Sequence, residues 1–216
     1  MMIEQTPDLL AILDDDKAVQ AALQDLIESE GMSTLCFDSA EQFLDSVGRY
    51  QASCVIADIG MAGMSGIELQ ARLKVEQRGL PIIFVTARGD IPLAVSAMKE
   101  GASDFFSKPF AGDVLLAAVE RALEENRDAR RKAVEQAELL ARYRSLTPRE
   151  REVLPLLVSG LLNKQAAAQL GITEYTVQVH RGHIMRKMRA ESFAALVRMG
   201  DGLSGRSQGG LALDAS

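Results

Sequence analysis

Five residues with carboxylate, hydroxyl or amine side chains lie directly after the ends of four apolar runs in this sequence. They are Asp14, Asp15, Asp58, Thr86 and Lys108. Asp14 and Asp15 belong to three consecutive acids, whose mutual repulsion is costly unless a cation offsets it. Mg²⁺ prefers oxygen ligands and is usually held by one or two carboxylates together with phosphate oxygens. With Mg²⁺ bound, Asp58 could attack a phosphoryl donor to form an acyl phosphate, while Lys108 offsets charge and Thr86 donates its hydroxyl.

The elements that must position these residues alternate between short apolar runs and amphipathic stretches. Strands are predicted at 9–13, 34–37, 53–57, 81–85 and 105–107, with helices between and after them. This alternation indicates βαβ units and a parallel sheet covered on both faces. The ligand site of such a sheet lies outside the carboxyl ends of its strands, where all five polar residues fall. Each residue taken singly is more typical of a turn or a helix cap, but their convergence indicates a site.

The stretch 113–144 lacks Pro and Gly and is predicted to form one long helix that leaves the first domain. A heptad frame places Leu116, Leu123, Arg130 and Ala137 at one seam position and Val119, Asn126, Ala133 and Leu140 at the other. Asn126 and Arg130 interrupt this seam. A coiled coil and a solvated linker helix therefore both remain open.

The sequence from 146 to 199 has a helical pattern throughout. Thr147, Pro148 and Glu150 open a helix with a capping box, a second helix spans 163–170, and Gly171 ends it. Thr173 caps a third helix over 174–188, and a fourth covers 192–199. This order predicts a helix-turn-helix. The Gly/Ser-rich segment 201–216 is predicted to be a disordered tail.

Charge and cysteine content divide the possible roles further. Residues 1–112 carry 8 Lys/Arg against 17 Asp/Glu, whereas residues 145–216 carry 9 Lys/Arg against 6 Asp/Glu. Only the C-terminal part therefore has the net positive charge that favours binding to nucleic acid. No long uncharged apolar run and no signal-peptide pattern occurs, so we expect a cytoplasmic protein without membrane contact. Cys36 and Cys54 are expected to be reduced core residues, and no CxxC or Cys/His cluster indicates zinc.

Four segments together resemble the signature of bacterial receiver domains. They are LDDD at 13–16, Asp58 followed by GMAGMSG at 60–66, VTARGD at 85–90 and DFFSKPF at 104–110. The resemblance implies a doubly wound sheet in the flavodoxin-like order 2-1-3-4-5, with Asp58 as phosphoacceptor. It also implies that Asp14, Asp15, Asp58 and the Gly60 carbonyl bind Mg²⁺. Thr86 and Phe105 would be the switch pair, Lys108 would contact the phosphoryl group, and the Lys108–Pro109 bond would be cis.

One position departs from the receiver pattern. Receivers usually have Met-Pro after the phosphoacceptor, whereas Met61 is followed here by Ala62. Losing that Pro should loosen the loop and change the kinetics of phosphorylation.

The segment 146–188 closely resembles the DNA-binding domain of the LuxR/NarL/FixJ class, and the whole chain is most similar to the FixJ subgroup. We therefore predict a receiver at 8–122, a helical linker at 123–144 and a LuxR-type helix-turn-helix domain at 145–200. On the recognition helix, Gln178 and Arg181 are expected to read bases and Val179 to contact a thymine methyl group. The expected phosphate contacts are Lys164, Thr173, Thr176, Arg186 and Lys187.

These resemblances imply a two-component transcription regulator rather than an enzyme. A sensor histidine kinase would phosphorylate Asp58, Thr86 and Phe105 would move, and the surface around 91–101 would favour a homodimer on promoter DNA. RNA polymerase is a further candidate partner. Two alternatives stay open. One is a Mg²⁺-dependent phosphohydrolase, which Gly60 disfavours because it supplies no acid two residues after Asp58. The other is a regulator that signals without phosphate.

Overall fold

The computed structural model describes residues 8–46, 51–76, 79–87 and 91–204. The chain divides between Arg130 and Arg131 into two compact units, which we describe one at a time. No helix in the described part of the chain has the length and apolar character needed to cross a bilayer.

The first unit is a five-stranded parallel sheet with helices between the strands. Its strands are β1 (Leu9–Leu13), β2 (Ser33–Phe37), β3 (Cys54–Ala57), β4 (Ile82–Thr86) and β5 (Asp104–Ser107). Its helices are α1 (Lys17–Glu28), α2 (Ala40–Ser46), α3 (Gly66–Val75), α4 (Ile91–Lys99) and the first part of α5 (Gly112–Arg144). The strand order β2-β1-β3-β4-β5 confirms the predicted fold and topology.

Apolar side chains cover both faces of this sheet, because successive residues of a strand point in opposite directions. On one face Val55 and Phe84 pack with Leu69 of α3. On the other face Ile56 and Ile83 pack in one cluster with side chains of α1 and α5. The central strands β3 and β4 are buried along their whole length. The polar residues that follow them are therefore held by a rigid support.

Helix α5 packs into the first unit well beyond its first turns. Leu123 is buried in the core, and the buried Asn126 side chain donates from Nδ2 to the Ser53 carbonyl at 2.6 Å. The Arg130 guanidinium donates to the Ala52 carbonyl at 3.0 Å. Leu123 and Asn126 are thus buried against their own unit and not available to a coiled-coil partner, whereas Arg130 is exposed and hydrogen-bonds to that unit. The segment predicted as a linker begins inside this packing.

The second unit is a bundle of four short helices with the end of α5. The helices are α6 (Pro148–Val158), α7 (Asn163–Leu170), α8 (Glu174–Met188) and α9 (Phe193–Ser204). Thr147 and Glu150 form the predicted capping box, Gly171 ends α7 with φ 65°, and Thr173 caps α8. Val153, Val177 and Ile184 lie in its core.

Helix α9 is longer than the sequence pattern predicts. It continues past Met199 to Ser204, so residues 201–204 are helical instead of part of a disordered tail. A Cβ atom at Gly200 would lie 2.9 Å from Val158 Cγ1, so the glycine allows α9 to approach α6 closely. Leu203 then packs on the core of the unit. The rest of the predicted tail, 205–216, lies outside the described residues.

Candidate functional site

Three acidic side chains meet at the carboxyl end of the sheet, as predicted. Asp14 and Asp15 follow β1 and Asp58 follows β3, and each offers a carboxylate oxygen within 4.8 Å of the others. The Asp58 N–H donates to the Leu13 carbonyl at 2.8 Å, which aligns the two strand ends. Asp14 is only 1% exposed, whereas Asp15 faces solvent. The cluster is therefore buried on one side and open to small ions and donors on the other.

Lys108 joins this cluster from the end of β5. Its Nζ lies 2.6 Å from Asp14 Oδ2 and 4.0 Å from Asp58 Oδ2. The Lys108 N–H donates to the Thr86 carbonyl at 2.8 Å, and the Lys108–Pro109 bond is cis, as expected. A positive charge thus stands beside the carboxylates, where it can offset charge on a transferred anion.

The donor set suits a magnesium ion. One lysine cannot offset three carboxylates, so the cluster keeps an excess of negative charge on hard oxygen donors, which Mg²⁺ prefers. The Gly60 N–H donates to Asp58 Oδ1 at 3.2 Å, so this residue lies next to the carboxylates. That its carbonyl is a metal ligand stays a prediction.

Thr86 and Phe105 lie on the adjacent strands β4 and β5. Thr86 ends β4 and is 1% exposed, with Ser107 as its register partner. Phe105 pairs in register with Phe84 and packs, half-buried, against the apolar cluster of that face. The role of Thr86 and Phe105 as a switch stays a prediction.

The loop after Asp58 is restrained by a residue that the sequence did not indicate. Glu41 of α2 accepts from the Met64 N–H through Oε1 at 2.8 Å. Gly63 has φ +81°, and a Cβ atom there would lie 2.8 Å from the same oxygen. Hydrogen bonds from its own backbone and from Met64 lower the pKa of Glu41. This contact restrains the loop in which Ala62 replaces the usual Pro.

An exposed face of α8 carries several of the residues predicted to bind DNA. Gln178 and Arg186 are exposed, and Val179 is 38% exposed. Gly182 lies on the same face with open space around its missing side chain. Tyr175, which the sequence analysis did not single out, is 74% exposed three residues before Gln178. These residues recur at three- and four-residue spacing and share one face of the helix.

The other predicted contacts lie at the edges of this face. Lys164 is exposed on α7. Thr173 caps α8 by accepting from the Thr176 N–H at 3.1 Å, and the two hydroxyl oxygens are 2.8 Å apart. Both threonine hydroxyl groups therefore already make hydrogen bonds within the protein. They lie at the N-terminus of α8, and helix N-termini are where phosphates bind.

Two predicted contacts are engaged inside their own unit. The Arg181 guanidinium stacks on the Phe193 ring, 4.4 Å from its centroid. Lys187 Nζ lies 2.7 Å from Oε2 of Glu150, which is 2% exposed. Burial raises the pKa of Glu150, but hydrogen bonds from Lys187 and the Thr147 N–H outweigh burial and leave the pKa below its ordinary value. That Arg181 and Lys187 contact DNA stays a prediction.

Comparison with known proteins agrees with this division of sites. Residues 10–120 match the family described as response regulator receiver domain, and residues 144–200 match the bacterial regulatory proteins of the luxR family. The response regulator protein TodT of Pseudomonas putida is 47% identical over 191 residues, which cover 88% of this chain and 84% of that protein. The transcriptional regulatory protein FixJ of Bradyrhizobium diazoefficiens is 42% identical over 188 residues, covering 87% and 92%.

Solved structures show the same similarity over most of the chain. The response regulator StyR superposes with a TM-score of 0.83 at 43% identity and covers 91% of this chain and 99% of its own. Full-length FixJ from B. japonicum gives a TM-score of 0.57 at 39% identity, covering 93% and 99%.

Proposed function

Because the chain belongs to the two-component response regulators that join a receiver to a LuxR-type DNA-binding domain, we propose that phosphorylation of Asp58 controls its binding to promoter DNA. Members of this family are DNA-binding transcription regulators rather than enzymes. The observation that carries the proposal is the meeting of Asp14, Asp15, Asp58 and Lys108 at one end of the sheet.

The phosphoryl group comes from the phosphohistidine of a sensor kinase. An Asp58 carboxylate oxygen forms the new bond to phosphorus as the donor's nitrogen–phosphorus bond breaks, which leaves an acyl phosphate. Lys108, 4.0 Å from Asp58 Oδ2, then pairs with a phosphoryl oxygen. Asp14, Asp15, Asp58 and the Gly60 carbonyl would hold Mg²⁺, which when bound would supply positive charge to the phosphoryl oxygens.

The new anion changes the surface of the receiver. Thr86 donates its hydroxyl to the phosphoryl group, and Phe105 moves into the space that Thr86 leaves. The surface that changes includes α4, where Ile91 is 80%, Val95 45% and Met98 44% exposed. Apolar side chains this exposed favour burial against a second receiver. Phosphorylation therefore promotes a homodimer.

The dimer presents two copies of α8 to two half-sites about one DNA turn apart. Gln178 reads adenine and Val179 contacts a thymine methyl group, with Arg181 reading guanine once it leaves Phe193. Lys164, Thr173, Thr176 and Arg186 are the proposed phosphate contacts, and Lys187 would join them only on leaving Glu150. A glycine inside a helix costs about 1 kcal/mol relative to alanine, so Gly182 on this face indicates close approach to DNA. RNA polymerase is a further candidate partner at the promoter.

Gly182→Ala tests this face directly. The substitution adds a methyl group in open space, so the second unit should become more stable by up to about 1 kcal/mol. Promoter affinity should nevertheless fall, measured by fluorescence anisotropy with labelled duplex DNA. Unchanged affinity would show that DNA does not approach this part of α8.

The phosphorylation step is tested with acetyl phosphate and Mg²⁺. Wild type should gain one phosphoryl adduct by intact mass and shift toward dimer in sedimentation. Asp58→Asn should do neither, whereas Asp25→Asn, an exposed carboxylate on α1, should behave as wild type. Removing Mg²⁺ with EDTA should abolish labelling. An adduct on Asp58→Asn, or an adduct without a change in association, would contradict the proposed coupling.

A further inference from the structure

We propose that Glu150, His180 and His183 form a binding site for Zn²⁺ between α6 and α8. Each of the three residues offers a ligand atom within 4.8 Å of the others. His183 Nδ1 lies 3.6 Å from Glu150 Oε1. This cluster lies in the second unit and is separate in sequence and chemistry from the carboxylates of the receiver. It goes beyond the proposed regulation through Asp58 and does not depend on it.

A second observation points to a ligand here. His180 Nδ1 is buried and has no hydrogen-bond partner. Buried polar atoms in proteins are nearly always paired, so this nitrogen needs an explanation. One ring nitrogen of His180 lies within 4.8 Å of Glu150 and His183, and a cation bound there through Nδ1 would use the lone pair of this unpaired atom.

The local structure holds the three ligands in place. His180 and His183 are three residues apart on α8 and therefore lie on one side of the helix. Glu150 Oε2 accepts from the Thr147 N–H at 2.8 Å and from Lys187 Nζ at 2.7 Å. Those bonds fix the carboxylate and leave Oε1 for a metal, in the manner of the outer-shell partners that orient metal ligands.

The donor types select the metal. Two imidazole nitrogens and one carboxylate oxygen suit Zn²⁺, whereas Mg²⁺ and Ca²⁺ prefer oxygen ligands alone. Tetrahedral Zn²⁺ with bonds of about 2.1 Å separates neighbouring donors by about 3.4 Å, close to the existing distance between His183 and Glu150. The His183 side chain is 46% exposed, so water can complete the coordination. The nearby Lys187 opposes the cation and limits its affinity.

Zn²⁺ bound here would connect α6 to the helix that faces DNA. Because the three residues are brought together only by folding, Zn²⁺ should bind the native state preferentially and raise the melting temperature of the second unit.

Calorimetric titration of the untagged full chain with ZnCl₂ tests the site. Saturating Mg²⁺ is present to occupy the receiver carboxylates. Wild type should bind one Zn²⁺, and His180→Gln and His183→Gln should each lower the affinity by about tenfold or more. Glu174→Gln, an exposed acid on the same helix, is the control and should bind as wild type. With Co²⁺ in place of Zn²⁺, the visible absorption of a tetrahedral site should appear only where both histidines are present.

Equal Zn²⁺ affinity in wild type and both histidine variants would overturn the proposal, as would the absence of Zn²⁺ binding to folded wild type. Circular dichroism checks that each variant keeps its helical content. If His180→Gln does not fold, the half-exposed His183 decides the question alone.

Discussion

Lys187→Met is the substitution that most directly separates a structural role from a DNA-binding role on α8. Methionine keeps the length of the aliphatic stem and removes the charge. Glu150, 2% exposed, would then keep the Thr147 N–H as its hydrogen-bond donor and His183 Nδ1 at 3.6 Å from Oε1, and would lose the ammonium 2.7 Å from Oε2. A buried carboxylate without a paired cation is strongly destabilising.

The expected loss of stability follows from how deeply Glu150 and Lys187 are buried. Removing one partner of a fully buried pair costs about 3–5 kcal/mol. The Lys187 side chain is 29% exposed, so we take the lower end of that range. For a unit of this size, a loss of about 3 kcal/mol lowers the melting temperature by about 12–24 °C.

Differential scanning calorimetry of the full chain measures this shift, with the receiver transition as an internal reference. Arg186→Met is the matched control, because Arg186 is an exposed cation next to Lys187 and should change stability by no more than about 0.5 kcal/mol. Adding Glu150→Gln to Lys187→Met should restore part of the stability. A shift for Lys187→Met no larger than that for Arg186→Met would refute the reasoning.

Three further predictions concern contacts of single residues. Glu41→Ala should slow labelling of Asp58 by acetyl phosphate up to about tenfold, followed by intact mass, because it releases the loop after Asp58. Glu41→Gln keeps an acceptor oxygen and should label normally. Asn126→Ala should lower the free energy of unfolding of the first unit by about 1–3 kcal/mol in urea, because the buried Ser53 carbonyl loses its donor. Burial raises the pKa of Glu150, but hydrogen bonds hold it below the ordinary value of 4.5. The ionised side chain therefore contributes its full stabilisation of the second unit at pH values above 4.5. Calorimetry should show that it is lost as the pH falls through the lowered pKa, and a second unit equally stable below that pKa would contradict this.

The position of the receiver site could be predicted because parallel sheets impose it. Once the apolar runs are identified as strands, residues at their carboxyl ends must lie at one edge. Asp14, Asp58 and Lys108 obey this rule, although 94 residues separate Asp14 from Lys108. The location of the site depends only on which residues follow each strand, so errors of one or two residues in the strand bounds do not change it.

Helix ends were predictable where a local signal decides them. Thr173 and Gly171 fix the start of α8 and the end of α7 through contacts within a few residues. The end of α9 was missed because Gly200 and Gly202 are typical of a helix stop. Here Gly200 serves close packing against Val158, a contact between distant segments that overrides helix propensity.

Two of the contacts that the sequence did not indicate are long-range hydrogen bonds of single polar side chains. Glu41 reaches the backbone 23 residues away and Asn126 the backbone 73 residues away. Glu41 belongs to no pattern that the sequence analysis identifies, and the heptad frame that contains Asn126 does not indicate its partner. Asn126 looked like a break in a coiled-coil seam, whereas its amide satisfies a buried carbonyl of the sheet.

The contacts of the basic residues of α8 could not be predicted from the sequence either, because positive charge alone does not show which of these side chains are free to bind DNA. Arg181 and Lys187 contact Phe193 and Glu150, so the freely exposed face contributes fewer cations than the composition of the helix indicates. Each phosphate contact steepens the dependence of DNA affinity on salt by about one unit. We therefore expect Arg186→Met to reduce that slope by about one and Lys187→Met to leave it nearly unchanged. An equal reduction by both would mean that Lys187 leaves its carboxylate when DNA binds.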